Sequence, residues 1–137
     1  IEFNLKDDEH DDPLISDEHI KVFKWANQSE IDDIKHKAIL INKYLTDLFN
    51  QIDILLVDFK IEFGRFYSNG KTEIILADEI SPDSCRLWDI KSNEKLDKDR
   101  FRRNLGGLIE AYKEVATRLQ IDLSNGLVYI IPQKNIY

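Results

Sequence analysis

Between residues 31 and 48 the apolar positions recur at steps of three and four: Ile31, Ile34, Ala38, Ile41, Leu45 and Leu48. Such spacing lines one face of an α-helix. Ser29 followed by Asp32 resembles a capping box, so an amphipathic helix of about 22 residues is expected, packed on a sheet through that stripe. A second helical rhythm runs through Phe101, Leu105, Leu108, Tyr112, Val115 and Leu119, with Asp97 as its expected N-cap. Gly106 and Gly107 interrupt it at roughly 1 kcal/mol each relative to Ala, which suggests close packing against another element. A shorter helix is expected near 17–25 behind Ser16, with Ile20, Phe23 and Trp25 turned inward.

Elsewhere the period is two. Residues 1–5 read as a strand entering an acidic loop, "KDDEHDDP", which Pro13 closes. Residues 53–66 and 72–79 read as two strong strands joined through Ser68, Asn69 and Gly70. "LSNG" at 123–126 is a turn, and "LVYII" at 127–131 a last strand or extended tail. The expected fold class is α+β, a mainly antiparallel sheet with helices packed on one face.

Composition narrows the function. The chain has 137 residues, 42% hydrophobic and 33% charged, enough to bury a core as one domain or as part of a larger one. Its net charge of -7 argues against broad binding to nucleic acid or an anionic membrane, both of which want a basic face. Cys85 is the only cysteine, so no internal disulfide can form and a reducing cytoplasm is the expected home. No apolar run reaches membrane-spanning length, and no signal-peptide pattern opens the chain. There is no Met, and the opening "IEFNL" reads as an excerpt from something longer.

Candidate chemistry begins at "LVDFKIEFG", residues 56–64, where Asp58, Lys60 and Glu62 share one face of a regular strand. The hairpin register decides where Asp78 falls. A two-residue Asn69-Gly70 loop sends Asp78 to the face opposite Glu62; a three-residue loop sets it across from Lys60 and diagonal to Glu62. An odd-length loop or a bulge is expected, because only that gathers the charges. Two carboxylates and a lysine suit a magnesium–nucleotide phosphate site. A solvated face of cross-strand ion pairs accounts for the spacing alone at least as well.

Arg86, Lys98, Arg102 and Arg103 form a second cluster, with Lys98 and Arg102 on one face of the expected third helix, near its N-terminus. A bound phosphate or carboxylate would suit them there. A surface patch neutralised by Glu94, Asp97 and Asp99 fits equally. Other features are weaker. "DDEHDD" lacks the central glycine of a calcium loop, and His10, His19 and His36 show no metal-ligand spacing. Cys85 has no histidine nearby in sequence, and Trp25 and Trp88 suit packing better than base stacking.

These segments together resemble one family. "LVDFKIEFG" looks like the signature of SAICAR synthetase (phosphoribosylaminoimidazole-succinocarboxamide synthase), a ligase of purine biosynthesis. "ADEISPDSCRLWD" and "LDKDRFRRNLGGLIEAYKEVATRLQI" resemble its next two blocks, and "LKDDEHDDP" the loop before them. The resemblance covers residues 1–122 and outweighs the blander readings. It implies that ATP phosphorylates the carboxylate of carboxyaminoimidazole ribotide and that the amine of L-aspartate attacks the acyl phosphate, releasing ADP and phosphate. By the same resemblance Glu62 and Asp78 hold Mg²⁺, with Lys60 and Lys6 beside the ATP phosphates. Arg86, Lys98 and Arg102 take the ribotide and aspartate side, with Lys60 and Arg86 as the catalytic pair. Asp58 and Asp83 shape the site.

The resemblance further implies that residues 1–137 are the larger C-terminal catalytic domain, the N-terminal part with its nucleotide loop being absent before Ile1. Little turnover is then expected from this segment alone. Cys85 stands where a serine or similar small residue is common. A homo-oligomer is compatible with the reading; nucleic-acid and membrane partners are not expected. The alternative from another class is a non-catalytic nucleotide-binding or assembly module that keeps the scaffold; a related small-molecule kinase is a third.

Overall fold

The computed structural model describes residues 1–122, so the expected turn and strand at 123–131 lie outside the described residues. The chain forms two compact units: Ile1–Lys43 with Glu62–Asp78, and Tyr44–Ile61 with the described residues from Glu79 onward. The class is α+β, and every described strand pair is antiparallel.

In the first unit, β1 (Phe3–Asn4) pairs with β2 (Leu14–Ile15) across the acidic loop. That loop winds a single 3₁₀ turn over Asp8–His10, and the Asp7 carboxylate accepts from Glu9 N. Asp7 also meets His10 Nδ1 at 2.9 Å, so these residues organise a turn. Ser16 caps α1 (Asp17–Val22), accepting from His19 N while the His19 ring accepts from Ser16 N.

The long helix is α2 (Gln28–Asn50). Its cap is Asn27 rather than Ser29: Asn27 Oδ1 accepts from Glu30 N at 3.0 Å, and Glu30 Oε2 accepts from Asn27 N at 2.9 Å. Asparagine caps as well as serine, and glutamate three residues on closes the reciprocal pair, leaving Ser29 inside the first turn. The expected stripe holds, with Ile31 and Leu45 buried and Ile34, Ala38, Ile41 and Leu48 half-buried; Phe49 is buried as well.

β4 (Glu62–Ser68) and β5 (Lys71–Ala77) form the hairpin of this unit. Ser68 pairs with Lys71 and Glu62 with Ala77, so the loop has two residues, not three. Asn69 and Gly70 both take left-handed backbone, φ 49° and 72°, as a type I′ turn requires. The twist of that turn matches the strands, and it outweighs any tendency to gather charge.

In the second unit, β3 (Ile54–Phe59) pairs with β6 (Cys85–Asp89), with an irregularity between Leu56 and Asp58. The expected strand over 53–66 is therefore two strands with different partners, broken at Lys60 and Ile61. Asp58, Lys60 and Glu62 do not lie on one continuous face. The β6 strand was not expected; its alternating burial, with Cys85, Leu87 and Asp89 inside, is short and flanked by turn residues.

The expected third helix is also two: α3 (Asp99–Arg102) and α4 (Leu108–Arg118). Between them Asn104, Gly106 and Gly107 are left-handed. A Cβ on Gly106 would meet nothing within 4 Å, so Gly106 serves the backbone turn alone, whereas one on Gly107 would come within 3.2 Å of the Arg100 side chain. Arg100 staples the turn, donating to Gly106 O at 2.7 Å and pairing with Glu94 at 2.6 Å. Ile54, Leu87, Leu96, Ala111 and Val115 are buried here, with Leu45, Phe49 and Cys85. Arg118 meets Asp89 and Glu114, each at 2.7 Å, and donates to the carbonyls of Ile52 and Asp53. This holds the Asp89 carboxyl far below its usual range, chiefly through the Ser92 N–H and the Arg118 guanidinium.

Candidate functional site

In the first unit the acidic loop delivers Lys6 to the start of β4. Its ammonium lies 3.0 Å from Asp8, 3.9 Å from Asp12 and 3.6 Å from Glu62. The hydrogen bond to Asp8, with Asp12 and Glu62 adding attraction, raises the Lys6 pKa and keeps it charged. Two residues expected at the nucleotide phosphates, Lys6 and Glu62, are thus brought together.

Asp78 follows β5 directly, at φ 66°. Its neighbour Ala77 is the partner of Glu62, so both acids stand at the open end of the hairpin, away from the Asn69-Gly70 turn. The two-residue register does not set Asp78 on the ladder face of Glu62, as an odd loop would have. The ladder stops at Ala77, however, and the left-handed backbone at Asp78 ends the strand's alternation. Among the described residues no three His, Cys, Asp or Glu side chains gather into a group able to hold a metal alone. Mg²⁺ needs fewer, since one or two carboxylates with phosphate oxygens and water complete its octahedron. Glu62 and Asp78 are the two hard oxygen donors that this end of the hairpin could offer such an ion.

In the second unit Arg86, on β6, is the cross-strand partner of Asp58 and meets its carboxylate at 3.0 Å. Its Nε lies 3.4 Å from Asp99, which Arg102 also contacts at 3.2 Å. Arg86 and Arg102 therefore converge on one carboxylate. Lys98 directly precedes α3, but that helix has only four residues, so the expected dipole at its N-terminus is too small to carry an anion site.

The "SPDSC" loop is tied down from three directions. Lys60 N donates to Ser84 O at 2.8 Å, Lys98 N to Pro82 O at 3.1 Å, and Tyr112 Oη to Asp83 Oδ1 at 2.5 Å. Burial, reinforced by Asp83, pushes the Tyr112 phenol well above its usual range. Asp97, Asp99 and Tyr112 were not expected to build the site. The sequence marks Asp97 and Asp99 only as acids neutralising the cations, and Asp97 as a cap; Lys98 holds the cap position, but the Asp97 carboxylate does accept from Asp99 N, at 2.7 Å.

Cys85 is buried, and desolvation raises its thiol pKa, against the behaviour of a nucleophile. Trp88 packs under Lys95, whose ammonium sits 4.5 Å from the ring centre, and Trp25 stacks on Phe23 at 4.8 Å. Two surface depressions of about 340 and 310 Å³ surround the Asp89–Arg118 pair and include none of the expected site residues. Their charges are spent on one another.

The family model of SAICAR synthetase matches residues 1–119 of this chain. The chain belongs to the SAICAR synthetase family. It is 64% identical over 125 residues to the phosphoribosylaminoimidazole-succinocarboxamide synthase A of Bradyrhizobium diazoefficiens, a match covering 91% of this chain and 49% of the relative. Among solved structures, the phosphoribosylaminoimidazole-succinocarboxamide synthase of Ehrlichia chaffeensis superposes with a TM-score of 0.83 at 50% identity, over 87% of this chain and 50% of that one. A SAICAR synthetase in complex with ADP superposes at 0.79 with 45% identity, over 93% and 51%. The chain thus spans about half the length of the SAICAR synthetases it matches. No described helix is long and apolar enough to cross a membrane.

Proposed function

We propose that this chain is the C-terminal catalytic part of an ATP-dependent ligase that joins L-aspartate to carboxyaminoimidazole ribotide. The observation that carries the reading is the approach of Lys6 to Glu62, 3.6 Å apart, at the open end of a hairpin that closes with Asp78. A solved relative, 45% identical, is a complex with ADP, which supports nucleotide binding.

Phosphoryl transfer asks a protein for positioning and charge neutralisation more than for a covalent group. Glu62 and Asp78 would hold Mg²⁺, which supplies positive charge to the phosphates of ATP. Lys6 and Lys60 add ammonium groups on the same phosphates. Arg86, Lys98 and Arg102 bind the phosphate and carboxylates of the ribotide and aspartate. They would neutralise the ribotide carboxylate as it accepts the phosphoryl group and the aspartate carboxylates as the amine attacks the acyl phosphate. A C–N bond forms as phosphate leaves. An inert Cys85 is consistent with this division of labour.

The test is ADP release, in the intact protein that carries these residues, with ATP, carboxyaminoimidazole ribotide and aspartate. Release that requires all three supports the ligase. Release indifferent to aspartate points to a kinase instead, and unaltered release after Glu62→Ala sinks the assignment of the metal site.

A further inference from the structure

We propose that Asp99 is a positioning residue that couples Arg86 and Arg102 into one two-pronged anion grip. The proposal rests on the ligase reading only in taking those arginines as anion ligands. One Asp99 oxygen faces Arg86 Nε at 3.4 Å and the other faces Arg102 at 3.2 Å, so a single carboxylate sets the spacing of two guanidinium groups. The Asp99 side chain is 11% exposed, whereas those of Arg86 and Arg102 are 41% and 58% exposed. A ligand from solution can reach the arginines, while the acid behind them is covered.

Asp99 is itself held. Asp97, 2% exposed, accepts from Asp99 N through one oxygen and from Leu87 N through the other, each at 2.7 Å. Leu87 adjoins Arg86, so one buried side chain clamps the backbone beside Arg86 to the backbone that carries Asp99. Arg86 also meets the exposed Asp58 at 3.0 Å, which leaves its remaining N–H groups for a ligand. The two guanidinium groups face two carboxylates, the covered Asp99 and the exposed Asp58, so a phosphate monoester or a carboxylate would take the place of Asp58 on Arg86 while Asp99 stays behind the pair.

Binding of ribose 5-phosphate to the intact protein tests this without ATP turnover, with Mg²⁺–ADP as the control ligand. Asp99→Asn should weaken ribose 5-phosphate by about tenfold or more, as expected when a buried charge pair loses one partner. ADP affinity should stay within about twofold, as for an independent site, and Asp99→Glu should recover part of the loss. A second cycle needs no change at Asp99. With Asp99 freed to pair fully with whichever arginine remains, Arg86→Ala alone or Arg102→Ala alone should cost nearly as much as both together. Losses that multiply independently, equal losses for both ligands, or a parent protein that ignores ribose 5-phosphate would each overturn the proposal. The three-substrate assay judges the ligase reading separately.

Discussion

Arg65 on β4 grips Glu30 in the first turn of α2 through two charge-assisted bonds, Nε to Oε1 at 2.7 Å and Nη2 to Oε2 at 2.9 Å. That guanidinium, followed by the Asn27 N–H, lowers the Glu30 carboxyl to about 2. The depressed folded pKa means that Glu30 stabilises fully above its unfolded value of roughly 4.3. The contribution is lost as the pH falls from there through about 2. Thermal melts across that window should show a falling Tm for the parent protein and a shallower fall for Glu30→Gln. Parallel slopes would rule the pair out as an acid-sensitive element.

Lys6 and Glu62 give a prediction at the candidate site. Lys6→Met should reduce nucleotide affinity about fivefold to tenfold, or roughly 1 kcal/mol, the scale of one charge contact on an exposed phosphate. Glu62→Gln should abolish the Mg²⁺-dependent part of ADP binding. Calorimetric titration with and without the metal reads both. An ADP affinity equally sensitive to Mg²⁺ in Glu62→Gln would remove Glu62 from the metal.

Asp97 is a structural prediction in its own right. Asp97→Ala orphans the buried N–H of Leu87 and the N–H of Asp99, which at about 1–3 kcal/mol each should cost roughly 2–6 kcal/mol in urea unfolding. Asp97→Asn keeps one acceptor and should lose about half of that.

Two glycines should behave oppositely. Gly107 is left-handed at φ 63°, and a Cβ there would come within 3.2 Å of the Arg100 guanidinium. Gly107→Ala should destabilise by about 1–2 kcal/mol. Gly64 has open space where a Cβ would go, so Gly64→Ala should change stability by no more than about 0.5 kcal/mol. Equal losses at both sites would show that backbone handedness is not what selects Gly107.

Cys85, 4% exposed and with its thiol raised by burial, should resist an aromatic disulfide reagent at pH 8 while folded and react within seconds once denatured. Prompt labelling of folded protein would contradict its burial.

The helices were legible where burial repeats: the α2 stripe from Ile31 to Leu48 is where the spacing puts it. The misreadings have local causes. Asn27 with Glu30 out-competed Ser29 with Asp32 as a cap, because both pairs satisfy the same chemistry and only one matches the chain's entry into α2. The third helix broke because Asn104, Gly106 and Gly107 could take left-handed backbone, which periodicity counted only as a cost. The hairpin register went to the two-residue turn because Asn-Gly is the best type I′ dipeptide, a local preference stronger than the gathering of Asp78 with Lys60 and Glu62. The cations of the second cluster could be read from their letters. Asp99 could be read as an acid neutralising them but not as a covered one that meets both Arg86 and Arg102, since nothing in the spacing tells a buried acid from a surface one.

Arg118 carries a consequence for anyone trimming this polypeptide. The side chains assigned to chemistry end at Arg102, yet a lock of the second unit sits sixteen residues later, where Arg118 reaches Ile52, Asp53, Asp89 and Glu114. A version cut just before it would keep every reactive group and lose the bolt that fastens the last helix to the strand ends. The smallest usable fragment is set by architecture, not by the catalytic roster.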